Sequence, residues 1–419
     1  MVVYNRKSEI TDGVLQMSEF LKVVTVQEAR RLIASALPVR DWEQVKLSHA
    51  LGRELSEPVH SPEPIPSFAR STVDGYAVRA EDTFGCSESL PAFLDYRGEI
   101  QIGYRPELTV LPGQCCWIPT GGMMPPGTDA VVMVEYTERL GDDTVLMFRA
   151  VGPGENLMQV GEDAPEGSLL LPQGHCLRPQ DLGLLASAGV QQVKVWQPYR
   201  VGIISTGNEI VPLDASPQPG QVRDVNSIAL AAAVQSASAV VKTYPIIPDD
   251  YDRLRQAVLS ALEENDWILM SGGSSVGVKD MTLDVLMSFP QAQLLFHGIA
   301  VKPGKPTLAV KIGSKLVVGL PGHPVSALTM FGVVCKPFLD PKPPSQVIAA
   351  AGANIASQAG RDDYVPVAIE SADGQVVAYP LLGKSGLMTI LAQADGYIHI
   401  NYHQQGILKG ESVLVTRFD

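Results

Sequence analysis

The chain has 419 residues, 45% hydrophobic and 18% charged, with a net charge of −13. That length divides among roughly two to four cores of ordinary size, and the composition is that of a folded globular chain rather than a disordered one. The acidic balance excludes a general nucleic-acid surface, which needs clustered Lys and Arg, but leaves room for a small anionic ligand held by a few local cations.

The first fourteen or so residues carry no apolar run behind their basic side chains, so no signal peptide is expected and the reading is cytoplasmic. Cys86, Cys115, Cys116, Cys176 and Cys335 form no C-x-x-C pair, which fits a reducing compartment. Thr25-Val-Gln-Glu28 has capping-box spacing and opens an amphipathic helix to about Leu37. Residues 45–146 read as strands and turns, punctuated by Pro62-Glu-Pro-Ile-Pro66, Leu111-Pro-Gly113 and Pro125-Pro-Gly127. Pro179 and Gly189 bracket a further helix, proline at its first turn and glycine past its last.

From Tyr199 the pattern alternates. Apolar strands are expected at 200–205, 240–247, 267–270, 293–301, 307–311 and 315–319. Helices are expected from Asn226, from a cap at Asp249 to about Glu264, near Asp280, and from Pro324 to about Leu339. Continuous apolar strands alternating with helices predict a doubly wound, mostly parallel sheet covered on both faces. The apolar run 316–335 is interrupted by Pro321-Gly-His-Pro324, so it reads as strand, loop and helix rather than a membrane span. Pro341-Lys-Pro-Pro344 is a linker, and the remainder reads as β with one helix near 387–394. The fold class is therefore multidomain α/β plus β.

In open α/β sheets ligands bind beyond the carboxyl ends of the strands. Here those loops are Ser205-Thr-Gly-Asn-Glu209, Pro248-Asp-Asp250, Ser271-Gly-Gly-Ser-Ser-Val-Gly277 with Asp280, Lys302-Pro-Gly-Lys-Pro306, and Gly319-Leu-Pro-Gly-His-Pro-Val-Ser326. Glycines let backbone N–H groups approach an anion, and Lys302 and Lys305 add point charges. Glu209, Asp249 and Asp280 offer hard oxygen ligands of the kind Mg²⁺ shares with substrate phosphates. Taken singly, each loop is a tight turn, and Asp249 and Asp280 are N-caps. Their coincidence at five successive strand ends favours a phosphate-plus-Mg²⁺ site. A second cluster lies earlier, in Pro66-Ser-Phe-Ala-Arg-Ser-Thr-Val-Asp-Gly-Tyr-Ala77, Thr120-Gly-Gly-Met-Met-Pro-Pro-Gly-Thr-Asp129 and Gly154-Glu-Asn-Leu-Met-Gln-Val-Gly-Glu-Asp163. Asp74-Gly75 alone would be a hairpin turn.

In order along the chain, S-T-V-D-G-Y-A (71–77), T-G-G-M-M-P-P-G-T-D-A-V-V (120–132), G-E-N…G-E-D (154–163), S-T-G-N-E (205–209), R-D-V-N-S (223–227), S-G-G-S-S-V-G-V-K-D (271–280), K-P-G-K-P (302–306) and L-P-G-H-P-V-S-A (320–327) resemble the MoeA and gephyrin E-domain family. The resemblance runs from about residue 20 to near the end. It implies an elongated domain from 18–60 and 150–198, an inserted β domain at 61–149, an α/β molybdopterin-binding domain at 199–340 and a C-terminal β domain at 341–419, in a homodimer. It implies that adenylylated molybdopterin and molybdate are substrates, that the pyrophosphate link is cleaved with release of AMP in a Mg²⁺-dependent reaction, and that molybdenum joins the dithiolate.

The roles it implies are specific. Asp74, Thr120, Asp163 and Lys302 would be catalytic. Thr206, Gly207, Glu209, Gly272, Gly273, Ser275, Lys305 and Gly322 would bind the pterin nucleotide. Lys302, Pro303, Ser326, Arg361 and Ser385 would hold molybdate, and Asp249 and Asp280 would hold Mg²⁺. An oxyanion needs cations and donors at fixed positions, and arginine offers a planar fork of N–H groups. The resemblance also raises contact with the upstream adenylyltransferase, and implies neither nucleic acid nor membrane as a partner.

Four residues depart from the family pattern: Asn208 for a frequent Asp, His323 for the usual Asn, His297 for a frequent Lys, and Ser274 for a common Val. Competing readings are a tungstate-inserting paralogue, a non-enzymatic molybdopterin-binding scaffold, and a serine hydrolase. The last rests on Gly273-Ser-Ser-Val-Gly277, with Ser275, Asp284 and His297 in nucleophile–acid–base order. It lacks an upstream oxyanion-hole motif. Gly383-Lys-Ser385 falls short of a phosphate-binding Walker loop, because Ala378 stands where the first glycine belongs.

Overall fold

A computed structural model describes residues 23–272, 281–372 and 374–418. The chain divides into two compact units, one of Asp41–Gln197 and one of Met1–Arg40 with Pro198–Asp419.

Asp41–Gln197 is built on short strands. Its six-stranded sheet runs in the order Ala130–Met133, Gly75–Val78, Gln114–Ile118, Ala92–Glu99, Thr144–Met147, Thr137–Leu140. One face buries Tyr76, Val78, Leu94, Cys115, Val132 and Met147. Gly75 is obligatory there: a Cβ would overlap the carbonyl oxygen of Val132 on the next strand. The remaining part pairs Trp42–Lys46 with Gln192–Trp196 and covers them with the helix Pro179–Ser187. That helix has Pro at its first turn and is closed by Gly189 at φ +73°, as its sequence predicts. Asp181 anchors it, accepting from the backbone N–H and the guanidinium of Arg178 and bonding the His175 ring at 2.7 Å.

The second unit carries the α/β sheet. We number its strands β1 (Arg200–Ser205), β2 (Val240–Thr243), β3 (Trp267–Ser271), β4 (Ala292–His297), β5 (Leu308–Ile312) and β6 (Lys315–Leu320). They lie in the order β2-β1-β3-β6-β5-β4. The β2–β1, β1–β3 and β3–β6 pairs are parallel, while β6–β5 and β5–β4 are antiparallel. β1, β3 and β6 are buried along almost their whole length, which is why they read as unbroken apolar runs. One face packs Val201, Ile203, Leu269 and Val318 under the helix Asn226–Ser236 and the N-terminal helix Val26–Ala34. The other packs Ile204, Ile268 and Val317 under Tyr251–Glu264 and Met281–Met287. The stretch Pro324–Leu339 is helical as expected, with a π-helical turn at Phe331–Cys335 inside it. A second six-stranded sheet, built largely from Gln346–Ala351, Asp362–Ala372, Gln375–Pro380, Gly396–Ile400 and Ser412–Arg417, completes the unit.

Three expectations are corrected. The strand expected at 240–247 stops at Thr243, because Pro245 has no N–H to continue the ladder. The strand expected at 293–301 ends at His297, where Gly298 turns at φ +103°; Val301–Lys302 then joins the C-terminal sheet beside Asp362–Asp363. The cap of Tyr251–Glu264 is Asp250, not Asp249: the Asp250 carboxylate accepts from the Arg253 N–H at 2.9 Å.

Candidate active site

The strand order places β1 and β3 side by side where the chain reverses its direction of winding, so their carboxyl ends form the sheet's natural ligand crevice. A buried polar knot underlies it. Ser205 Oγ lies 3.1 Å from the Asp224 carboxylate, 2.9 Å from Ser227 Oγ and 3.2 Å from Ser271 Oγ. Asp224 also accepts from the Ser227 N–H, fixing the first turn of the helix Asn226–Ser236. This knot ties β1, β3 and that helix together, and the sequence reading did not assign it a role.

Above the knot the backbones close up. Gly272, at φ +106°, packs so tightly on Thr206 that a Cβ would overlap the Thr206 carbonyl oxygen. Gly322 lies against Gly272 in turn, and its carbonyl oxygen accepts from the Asn226 amide at 2.8 Å. Gly207, at φ +144°, abuts the Glu209 carboxylate. Thr206, Gly207, Gly272 and Gly322 are thus one continuous floor. Asp249 and Asn208 face each other across the rim: the Asn208 N–H donates to the Asp249 carboxylate at 3.4 Å, and the Asp249 N–H donates to the Asn208 side-chain oxygen at 3.1 Å. Asn208 makes this pair without placing a second negative charge beside Asp249.

Asp280, Ser275 and Gly273 lie outside the described residues, as does the rest of the Gly273-Ser-Ser-Val-Gly277 motif. Among the described residues no group of three His, Cys, Asp or Glu could hold a metal ion. Asp249 is exposed, with a carboxylate that spends only a long contact on Asn208. One such carboxylate suits Mg²⁺, which takes one or two from the protein and completes its shell with water and substrate phosphates.

A second feature of the same unit is a cavity of about 1000 Å³. Lys302, Pro303, Ser326, Arg361 and Ser385, widely spaced in sequence, all line it. Lys305, Lys384 and His323 line it too, and among the described residues Asp363 is its sole carboxylate. Asp363 is buried and occupied by Arg361, whose Nε and Nη2 donate to it at 2.8 and 3.4 Å. The side-on grip leaves the far edge of the guanidinium free to bind. In a chain of net charge −13, four fixed cations against one engaged carboxylate make this a locally positive chamber. Asp363 and Lys384 were missed in the sequence, although Lys384 sits inside Gly383-Lys-Ser385 and Asp363 is two residues from Arg361.

In Asp41–Gln197, Asp74 and Thr120 meet. The Asp74 carboxylate accepts from the Thr120 N–H at 2.7 Å and from its hydroxyl at 2.9 Å. These two bonds, the backbone one foremost, hold the Asp74 carboxyl below its ordinary pKa. Asp163 is on a separate turn, its N–H donating to Ile65 O, and among the described residues no hydrogen bond joins it to Asp74 or Thr120.

Three family models match in succession: "MoeA N-terminal region (domain I and II)" over residues 24–189, "Probable molybdopterin binding domain" over 202–341, and "MoeA C-terminal region (domain IV)" over 349–418. A curated relative from Haemophilus influenzae named molybdopterin molybdenumtransferase is 31% identical, over 95% of this chain and 99% of its own. One of the same name from Bacillus subtilis is 31% identical, over 94% and 93%. Among solved structures, a molybdopterin biosynthesis moeA protein from Pyrococcus horikoshii matches with a TM-score of 0.83 and 32% identity, over 95% of this chain and all of that one. The multidomain α/β-plus-β fold is that of this class of enzymes. The chain belongs to the MoeA family.

Proposed function

We propose that the chain inserts molybdenum from molybdate into adenylylated molybdopterin, releasing AMP. The observation that carries this reading is the positive cavity: Lys302, Arg361, Ser326 and Ser385 converge beside Lys305 and Lys384, a donor set for a small tetrahedral oxyanion. The floor of Thr206, Gly207, Gly272 and Gly322 would give close backbone approach for the nucleotide and its phosphates, with Glu209 beside it; Gly273 and Ser275, outside the described residues, belong to the same set through the family resemblance alone. Asp249 and Asp280 would hold Mg²⁺, which when bound neutralises charge on the scissile pyrophosphate. Asp74, kept ionised by Thr120, would orient the attacking water, with Asp163 and Lys302 as further catalytic groups.

The four-part division stated from the resemblance goes with this reading, as do a cytoplasmic homodimer and supply of substrate by an adenylyltransferase. Among the described residues no helix is long and apolar enough to cross a membrane. AMP release from adenylylated molybdopterin by the purified protein with Mg²⁺, with and without molybdate, tests the proposal. Release that depends on molybdate is expected; a folded protein that releases none under either condition would overturn it. Tungstate in place of molybdate separates the closest alternative.

A further inference from the structure

Ser385 enters the cavity with its side chain already engaged. Its Oγ lies 2.9 Å from Nδ1 of His323, and its carbonyl oxygen accepts from the Val325 N–H at 3.1 Å. His323 stands at the N-cap of the helix Pro324–Met330, yet its side chain makes no capping bond. Both Ser385 and His323 line the chamber that holds Lys302, Lys305, Arg361 and Lys384.

A hydroxyl has one proton to give, and an oxyanion such as molybdate has only acceptors. The proton in the Ser385–His323 contact therefore decides whether Ser385 helps or hinders. If the imidazole is protonated on Nε2 alone, Nδ1 must accept. Ser385 then spends its proton on the ring and turns lone pairs toward the anion. If the imidazole is protonated on Nδ1, the ring donates to Oγ and the hydroxyl proton is released to the cavity.

We propose that His323 is a positioning residue for the oxyanion: by donating from Nδ1 to Ser385 Oγ it points the serine proton at the bound anion. The inference rests on the reading of this cavity as the oxyanion site. Binding then selects the Nδ1-protonated ring, because that form alone leaves every group at this corner a donor. Any side chain at 323 that offers an N–H at the same place serves equally. One that can only accept, or can do neither, does not.

Calorimetric titration of molybdate into the full-length protein tests this with four variants. His323→Leu should weaken binding by about fivefold, since the Ser385 proton is then no longer aimed, and His323→Asp by more than about tenfold, since it claims that proton and adds a negative charge. His323→Asn, which keeps a donor, should recover affinity to within about twofold of wild type. In a Ser385→Ala background His323→Leu should have no further effect. A second readout is independent of affinity. In protein labelled with ¹⁵N-histidine, the His323 ring, assigned by its loss in His323→Asn, should show a protonated Nδ1 once molybdate is bound. Equal affinity of the Leu and Asn variants, or an unprotonated Nδ1 in the bound state, would overturn the role of His323 and leave the cavity reading standing. A folded wild-type protein that binds no molybdate would overturn both.

Discussion

The cavity lined by Lys302 and Arg361 and the Asp74–Thr120 pair are opposites in charge. The cavity gathers like charges, Lys302, Lys305, Arg361 and Lys384, and tempers them with one buried carboxylate. A bound dianion would relieve the repulsion among them, which is why the proposed function places the oxyanion here. Asp74 is a single exposed carboxylate held by two donors from one residue. It is ionised and aimed before any ligand arrives, as a group acting on a reaction needs to be. On the proposed function, binding and chemistry would be carried by different local physics, and substitutions should separate them.

The largest separation is expected at Asp74. Asp74→Ala should reduce AMP release by roughly 100-fold or more, the usual contribution of a positioned acid–base group, while molybdate affinity stays at the wild-type value. Rates at saturating molybdate, set beside calorimetric affinities, check both halves. A fall in affinity instead would erase the distinction. Thr120→Val removes one of the bonds that depress the Asp74 pKa. A depressed carboxyl is protonated only as pH falls through its lowered value, so the acid limb of the rate profile should move to higher pH in the variant.

Next comes Arg361. Arg361→Ala should raise the molybdate concentration at half-maximal rate by roughly 30-fold, for loss of a charge-assisted pair of N–H groups, with little change in the maximal rate. An equal fall in maximal rate would place Arg361 in the chemistry rather than the binding.

Smaller again is Asp181, in neither region. It is buried and held by Arg178 and His175, which keep its carboxyl far below the ordinary range. Because the folded pKa is depressed, the stabilisation is fully present above the unfolded value near 4 and disappears as pH falls through the acid range. Asp181→Asn should cost about 2 kcal/mol near neutrality, and flatten the acid side of the pH–stability curve, read by urea unfolding.

The smallest effect distinguishes two neighbours. Asp250→Ala should cost about 1 kcal/mol of stability for the lost helix cap. Asp249→Ala should cost almost none and instead impair AMP release. Equal stability losses with full activity in both would remove Asp249 from the site.

Those neighbours show where sequence reading succeeds and where it stops. Periodicity identified β1, β3 and β6, because strands buried on both faces have no polar position to obscure them. The strand-end loops followed, since parallel topology fixes which ends carry ligands. The choice between Asp249 and Asp250 did not follow: both precede the same helix, and only the folded loop pairs Asp249 with Asn208 and leaves Asp250 to accept from the Arg253 N–H. The end of β4 at His297 was hidden for a similar reason: Gly298 turns the chain, and Val301–Lys302 beyond it pairs with a strand of another sheet. The residues of the Ser205–Asp224–Ser227–Ser271 knot stand in three of the quoted motifs, but their mutual bonding was hidden, because only the fold brings those motifs together. Arg361 and Ser385 came from resemblance, whereas Asp363 and Lys384, beside them, needed the folded cavity to acquire a role.

The central claim is that this cavity is an oxyanion site. Crystals of the protein soaked in tungstate test it most directly, through the anomalous signal of the heavy atom. A peak is expected within hydrogen-bonding reach of Lys302, Arg361 and Ser385. Ordered cavity side chains with no peak there, and a peak elsewhere on the molecule, would contradict it.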